Sequence, residues 1–387
     1  MILAAAEQGE LDNFAVDRAR LEPTADYVAE TIRRRYPDLN IPFHARWRHF
    51  TAGGLDRWAE LAESLAGRSG EEIARIRFDL AVTSVLLDAG AGPAWRYREA
   101  QSGETFERSE GLAVASFRLF EAGAFSSDPG RPFRADAVAL RALTDRSLAD
   151  GFQVADDNQL IGLAGRAALL RRLGEALAAA PELFGAEARV GGLFDTLRSR
   201  AAGGKLAAAT VLEAVLRGFG SIWPGRITLA GTALGDVWRH PAAAADDLTD
   251  GLVPFHKLSQ WLVYSLVEPL EAAGLQVTGL DDLTGLAEYR NGGLMIDCGV
   301  VVPKHPAVTA EGHGPGDSVI VEWRALTVAL LDPLADLVRR RLDQEATAMP
   351  LAKILEGGTW AAGRRIAAER RPGGAPPITL ESDGTVF

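Results

Sequence analysis

The sequence predicts a mostly α protein with a small β element. Three observations carry this. Apolar residues recur every three or four positions through most long segments. β-branched runs are few and short. There is no G-x-G-x-x-G, no Walker loop and no alternation of strands with helices, so a dinucleotide fold is not expected. Residues 1–387 read as a single helical body, with a division near 1–135 and 136–387 as the alternative.

Taken in order, Thr24 is expected to cap a helix carrying Val28, Ile32 and Tyr36, ended by Pro37. Leu140, Leu143 and Leu148 form a second stripe that stops at Gly151. Asp157 and Asn158 read as a capping pair before the longest clean stripe, Leu163, Ala167, Leu170, Leu173 and Leu177. Leu258, Leu262 and Leu266 mark another helix. Leu326, Leu330, Leu334 and Leu337 mark a late one, with Pro333 expected to bend it. Two segments read as strands able to pair: Leu294 to Val302 and Ser318 to Val321. Glycine and proline gather at Asp128 to Pro132, Trp223 to Arg226 and Arg371 to Pro377. After the last of these, apolar Val386 and Phe387 follow a Ser-Asp-Gly turn and suggest a docked end.

Composition narrows the function. Hydrophobic residues make up 47% and charged residues 24%, enough for a sizeable core. A formal net charge of −11 argues against nucleic acid as partner, because phosphate backbones are bound by basic surface. A small phosphorylated ligand stays open, since two or three local cations suffice. The one cysteine, Cys298, allows no intramolecular disulfide. The six histidines are scattered; His44 and His49 are five apart, and no H-E-x-x-H occurs, so neither a protein-held metal nor a cofactor is expected. The start MILAAAEQGE meets acid within seven residues and lacks the pattern of a signal peptide. No apolar run approaches 18 residues, so no membrane span is expected and a reduced cytoplasm is the expected compartment.

Five segments combine residue types that do chemistry. In Pro42 to Phe50, Arg46 and Arg48 have the fork that grips a phosphate or carboxylate, with Trp47 to stack; the alternative is a structural collar on buried acids. In Leu86 to Tyr97, Asp88 ends an apolar run at a glycine-rich bend, with Trp95 and Tyr97 beyond it. It reads either as a contact for a ligand hydroxyl, with the aromatics lining a pocket, or as a turn cap. In Phe255 to Tyr264, Lys257 follows His256 at a helix start among aromatics and reads as a phosphate anchor or a solvated lysine. In Leu283 to Gly293, Glu288 and Arg290 flank Tyr289 before a Gly-Gly break. This suits positioning of a water or a sugar hydroxyl, or a helix-end salt bridge. Glu322 and Arg324 repeat that spacing at a helix head, where the acid complements the dipole.

Read together, PFHARWRHFTAGG, LLDAGAGPAWRY, RSEGLAVASF, LTGLAEYRNGG and the tail from GGTWAAGRR resemble the uracil catabolism protein 4 family, from about residue 10 to the last residue. The resemblance implies a place in a pyrimidine-degradation route that passes through ribosylated, ring-opened intermediates and releases urea. F-H-K-L-S-Q, L-T-G-L-A-E-Y-R and V-E-W-R are also similar to queuosine 5′-phosphate N-glycohydrolases, helical proteins with a fold like DNA glycosylases. That similarity implies Lys257 as phosphate contact, Glu288 as the catalytic acid and Asp88 beside the base pocket. Two departures stand out: Asn291-Gly292-Gly293 replaces Val-Pro-Gln, and a second acid of that family falls near Ser265. A different leaving group is therefore implied.

The expected reaction is hydrolysis of a C1′–N bond in a phosphorylated riboside such as ribosylurea 5-phosphate. Glu288 is the leading carboxylate and Asp88 the second. Lys257, Arg290, Tyr289, Trp95, Arg46 and His256 are expected to bind the substrate. Tyr289, Asn291 or His256 would donate a proton to the departing urea. The alternatives are an amidohydrolase-type ring opening and a non-catalytic ligand-binding subunit.

Overall fold

Helical period in the sequence becomes helix in the computed structural model, which describes residues 1–223 and 227–381. The fold is mostly α, and the strands are two or three residues long, paired two by two. Among the described residues no helix is long and apolar enough to cross a membrane. Pro224 to Arg226, and the end at Val386 and Phe387, lie outside the described residues.

Several boundaries differ from the sequence reading, each for a local reason. The first long helix runs Leu21–Arg35, so Thr24 sits inside it and donates its hydroxyl to the Arg20 carbonyl oxygen at 2.7 Å. Val28 and Ile32 are fully buried, as their spacing requires. The stripe from Leu140 is split into Ala137–Ala142 and Asp145–Gly151, because Thr144 and Ser147 form a capping box that starts a new helix. The helix Leu163–Ala179 begins after Gly162, while Asn158 uses its side chain to bind the backbone of Arg96 at 2.8 Å on both sides.

Both expected strands are corrected. Leu294 to Asp297 lie in the helix Tyr289–Asp297, and only Val301–Pro303 is strand, antiparallel to Phe14–Val16. Ser318 to Val321 open the helix Ser318–Leu342, which carries Pro333 inside it. In each case burial overrides β-propensity: Leu294, Met295, Ile320 and Val321 are all fully enclosed, and helical backbone satisfies its own polar groups there.

The described residues form two compact units, each built from separated stretches of chain. The first holds Met1–His44, Asp236–Gln260 and the described residues from Leu280 on; the second holds the described residues of Ala45–Gly235 and Trp261–Gly279. The helix Lys257–Ala272 contributes its residues through Gln260 to the first and the rest to the second.

In the first unit, Leu21–Arg35 packs on Ser318–Leu342, and Tyr289–Asp297 packs on Trp360–Arg370. The second pair approaches so closely that a Cβ on Gly363 would lie 2.2 Å from the Arg290 carbonyl oxygen. A Cβ on Gly292 would lie 2.6 Å from the Trp323 indole nitrogen. These glycines fix how near the helix that follows Glu288 comes to its neighbours. The second unit packs Gly70–Leu86, Arg108–Glu121, Leu163–Ala179 and Gly192–Arg200 around Phe78, Phe117, Phe120 and Leu170, all fully buried.

Candidate functional site

Lys257 owes its position to Asp236. Asp236 Oδ1 accepts from Arg324 Nη1 and from the Trp238 indole N–H, each at 2.8 Å. Its Oδ2 accepts from Arg324 Nη2 at 2.8 Å and from the Lys257 backbone N–H at 3.0 Å. The Asp236 carbonyl oxygen takes the backbone N–H groups of Phe255 and His256. Burial pushes the Asp236 carboxyl up, but the Arg324 guanidinium and these donors outweigh it and hold the group below its ordinary range. His256 adopts φ +46°, a left-handed conformation that costs a non-glycine residue about 1–2 kcal/mol. It persists because Asp236 grips the backbone on both sides of it. Burial lowers the His256 imidazole, with Asp236 opposing and Arg324 reinforcing the shift, so the site disfavours the protonated ring.

Glu288 stands at the N-terminus of Tyr289–Asp297 as its cap. Oε2 accepts from the backbone N–H groups of Arg290 at 2.8 Å and Asn291 at 3.2 Å. Among the described residues no donor takes Oε1. Burial pushes the Glu288 carboxyl up; Lys257, the two amides and His44, in that order, pull it back without cancelling the rise. The salt bridge with Arg290 considered for this carboxylate does not form. Arg290 instead donates to the Gly374 carbonyl oxygen at 2.8 Å and lies 4.8 Å over the Tyr289 ring, which is 36% exposed. Asn291 is committed structurally: Nδ2 donates to the Leu286 carbonyl oxygen and Oδ1 accepts from the Thr359 hydroxyl at 2.9 Å.

Two further buried pairs belong to the same unit. His44 Nδ1 lies 2.8 Å from Glu356 Oε2, and Arg35 donates to the Glu356 carbonyl oxygen. Glu356 sits in a wide π-type turn, Leu355–Thr359, a local geometry that recurs at functional sites. His240 accepts the Ala242 N–H on Nδ1, so its proton is on Nε2, 3.2 Å from Glu322 Oε1. Glu322 also accepts from Asn13 and Ser318. The acid at this helix head therefore ties the fold together.

Asp88, Arg46 and Trp95 lie in the second unit. Arg46 is fully buried, donates to the Ser84 hydroxyl at 2.7 Å, and brings Nη1 within 3.0 Å of Asp88 Oδ1. Asp88 follows Gly70–Leu86, in a loop whose carbonyl groups Arg166 also binds. Trp95 is fully enclosed and donates its indole N–H to the Phe152 carbonyl oxygen at 2.9 Å.

Against this geometry the sequence comparisons are specific. A family model described as "Protein of unknown function (DUF1688)" matches residues 1–387. The chain belongs to the DUF1688 family. It is 41% identical to Uracil catabolism protein 4 of Lachancea kluyveri over 416 residues, covering 98% of this chain and 93% of that protein. It is 41% identical to Protein urg3 of Schizosaccharomyces pombe over 394 residues, covering 100% of this chain and 95% of that one. The resemblance carried by the five quoted motifs thus extends over nearly the whole chain.

In this DUF1688 chain the first unit brings Lys257, His256, Glu288, Tyr289 and Arg290 into one body, with Glu288 feeling the charge of Lys257. The sequence reading missed Glu356 and did not assign His44 a role. They are 312 residues apart, and the only local signal was the Gly-Gly pair after Glu356. Among the described residues no group of three His, Cys, Asp or Glu side chains is arranged to hold a metal.

Proposed function

We propose that this chain acts in uracil catabolism, hydrolysing the C1′–N bond of a ribosylated, ring-opened pyrimidine such as ribosylurea 5-phosphate. Support for the pathway comes from the name of the Lachancea kluyveri relative. Support for the chemistry comes from Glu288: a buried carboxylate with one oxygen pinned by two backbone amides and the other left to meet a ligand.

The chemistry asks for such a group. As the C1′–N bond breaks, positive charge builds on the ribose. A fixed anion in a site of low dielectric stabilises that charge more than it stabilises the ground state. A carboxyl pushed up by burial is also a better base toward the incoming water. The water oxygen bonds to C1′, its proton goes to Glu288, and the urea nitrogen leaves with the electron pair of the broken bond. That nitrogen needs a proton. His44, paired with Glu356 and electrostatically coupled to Glu288, suits the task better than His256, whose protonated form burial disfavours, or Asn291, whose hydrogen bonds are taken. Lys257 then receives the 5-phosphate.

Mass spectrometry of purified protein incubated with ribosylurea, with and without its 5-phosphate, tests the proposal. Appearance of urea and ribose phosphate is expected, faster from the phosphorylated substrate. Unchanged riboside alongside ring opening of an intact pyrimidine would sink it.

A further inference from the structure

The second unit carries a cavity of about 330 Å³ that shares no residue with the Glu288 cluster. Its walls include Trp47, Phe50, Trp58, Pro269 and Ala272. Trp47 and Trp58 meet edge to face, ring centres 5.5 Å apart. Such walls accept a flat, apolar body.

Four charged side chains line this cavity, and they are unequally satisfied. Arg48 Nη2 reaches both oxygens of Glu268, at 2.8 and 2.6 Å, so that carboxylate is already engaged. Arg77 lies with its guanidinium carbon 4.8 Å over the Trp58 ring and 6.0 Å from the Trp47 ring. Stacking occupies the guanidinium face and leaves its in-plane N–H groups as donors. Among the described residues none of them meets an acceptor: Arg77 makes no hydrogen bond or ion pair, and its Nε is buried without a partner, as is Arg48 Nε. A guanidinium stays charged under all ordinary conditions, and buried donors are almost always paired. A fourth charged group, Asp56, spends Oδ1 on the Ala59 N–H as a helix cap.

We propose that this cavity binds a small oxyanion, a carboxylate or a phosphate monoester, carried on a flat unsaturated body. The oxyanion takes the in-plane donors of Arg77, and the body lies along the two tryptophans. The proposal does not depend on the reaction assigned to Glu288.

Isothermal titration calorimetry with benzoate, phenyl phosphate and uncharged benzamide tests it. Benzoate or phenyl phosphate is expected to bind once per chain, with benzamide about tenfold weaker or worse. Whichever anion binds more tightly identifies the oxyanion. Arg77→Met keeps the apolar stem, and Glu268 keeps its hydrogen bonds from Arg48, so its thermal melt is expected to match the wild type while anion binding falls about tenfold or more. Trp58→Ala is expected to weaken benzoate and leave inorganic phosphate unchanged. Lys257→Ala is expected to leave benzoate binding intact, which separates this cavity from the proposed phosphate anchor. Absence of binding by both anions up to about 10 mM overturns the proposal. So does equal binding by benzamide, or by a folded Arg77→Met protein.

Discussion

Arg324 and Asp236 meet as a two-pronged pair in the interior of the first unit, Nη1 on Oδ1 and Nη2 on Oδ2, both at 2.8 Å. The same carboxylate holds the Lys257 backbone N–H, and Arg324 lies 4.0 Å from the centre of the Phe255 ring. One ion pair thereby sets both the entry of the chain into the helix Lys257–Ala272 and the left-handed conformation of His256. Asp236→Asn keeps the size of the side chain and leaves Arg324 buried opposite a neutral group. Breaking one side of a buried pair costs about 3–5 kcal/mol. Urea denaturation is expected to show a loss of that size; a change below about 1 kcal/mol, the range of exposed pairs, refutes the assignment.

Lys257 has two separable roles in the proposed reaction. If it receives the phosphate, Lys257→Ala weakens phosphorylated ligands by about 1.5–3 kcal/mol and leaves dephosphorylated ones nearly unchanged. Its charge also pulls the Glu288 carboxyl down, so removing it moves that carboxyl further up. The acid limb of the pH–rate profile is therefore expected at higher pH in Lys257→Ala. Calorimetry checks the first role and the pH profile the second. Equal losses for both ligands mark the lysine as purely structural.

How much of this was legible beforehand depends on the range of the interaction. Leucine stripes such as Leu326, Leu330 and Leu334 announce a helix because the period is local, and that helix formed. Ser318 to Val321 misled because β-branched residues also fill helices when the whole face is buried. Glu288 stood out through its neighbours Tyr289, Arg290 and the Gly-Gly break. Its service as a helix cap, with one oxygen spent and one spare, depends on backbone geometry that residue types alone do not specify. Asp236 with Arg324, 88 residues apart, and His44 with Glu356, 312 apart, have no spacing to read.

In the second unit, Glu99 is fully enclosed and accepts from Arg57 Nε and Arg118 Nε, each at 2.7 Å, from the Ser102 hydroxyl at 2.7 Å, and from Arg57 Nη2 at 2.5 Å. Burial pushes its carboxyl up, but Arg57, Ser102 and Arg118 prevail and hold it at about 2. A carboxyl depressed by folding contributes stability that is fully present above its unfolded value, about 4.3, and is lost as pH falls through the folded one. Urea melts are expected to show the wild type losing its advantage over Glu99→Gln between about pH 5 and pH 2. Above that window the variant, with Arg57 buried and underpaired, is expected to be less stable by about 3–5 kcal/mol. A gap that stays constant with pH refutes the assignment.

Glu288 gives the sharpest test, because its structural and catalytic roles predict opposite things. As a helix cap it works through Oε2, and Gln presents an oxygen of nearly the same shape, so Glu288→Gln is expected to cost about 1 kcal/mol at most in capping. Against that loss stands a gain. Folding raises the Glu288 carboxyl, so its favourable contribution is complete below the unfolded value, about 4.3, and declines as pH rises through the folded one. At neutral pH the glutamine is relieved of that penalty, and thermal melts are expected to place the variant level with or above the wild type. Turnover is expected to move the other way. Removing a general base costs about 10²–10⁴-fold in kcat, and loss of charge opposite a developing ribosyl cation adds to it, while affinity for the substrate stays near normal. The wild-type pH–rate profile is expected to fall on the acid side above the ordinary carboxylate range, and that limb is expected to vanish in the variant. A melt and a turnover assay on one preparation decide the matter. A folded Glu288→Gln protein with near-normal kcat would return the proposed chemistry to Glu356 and Asp88, to be tested by the same pair of measurements.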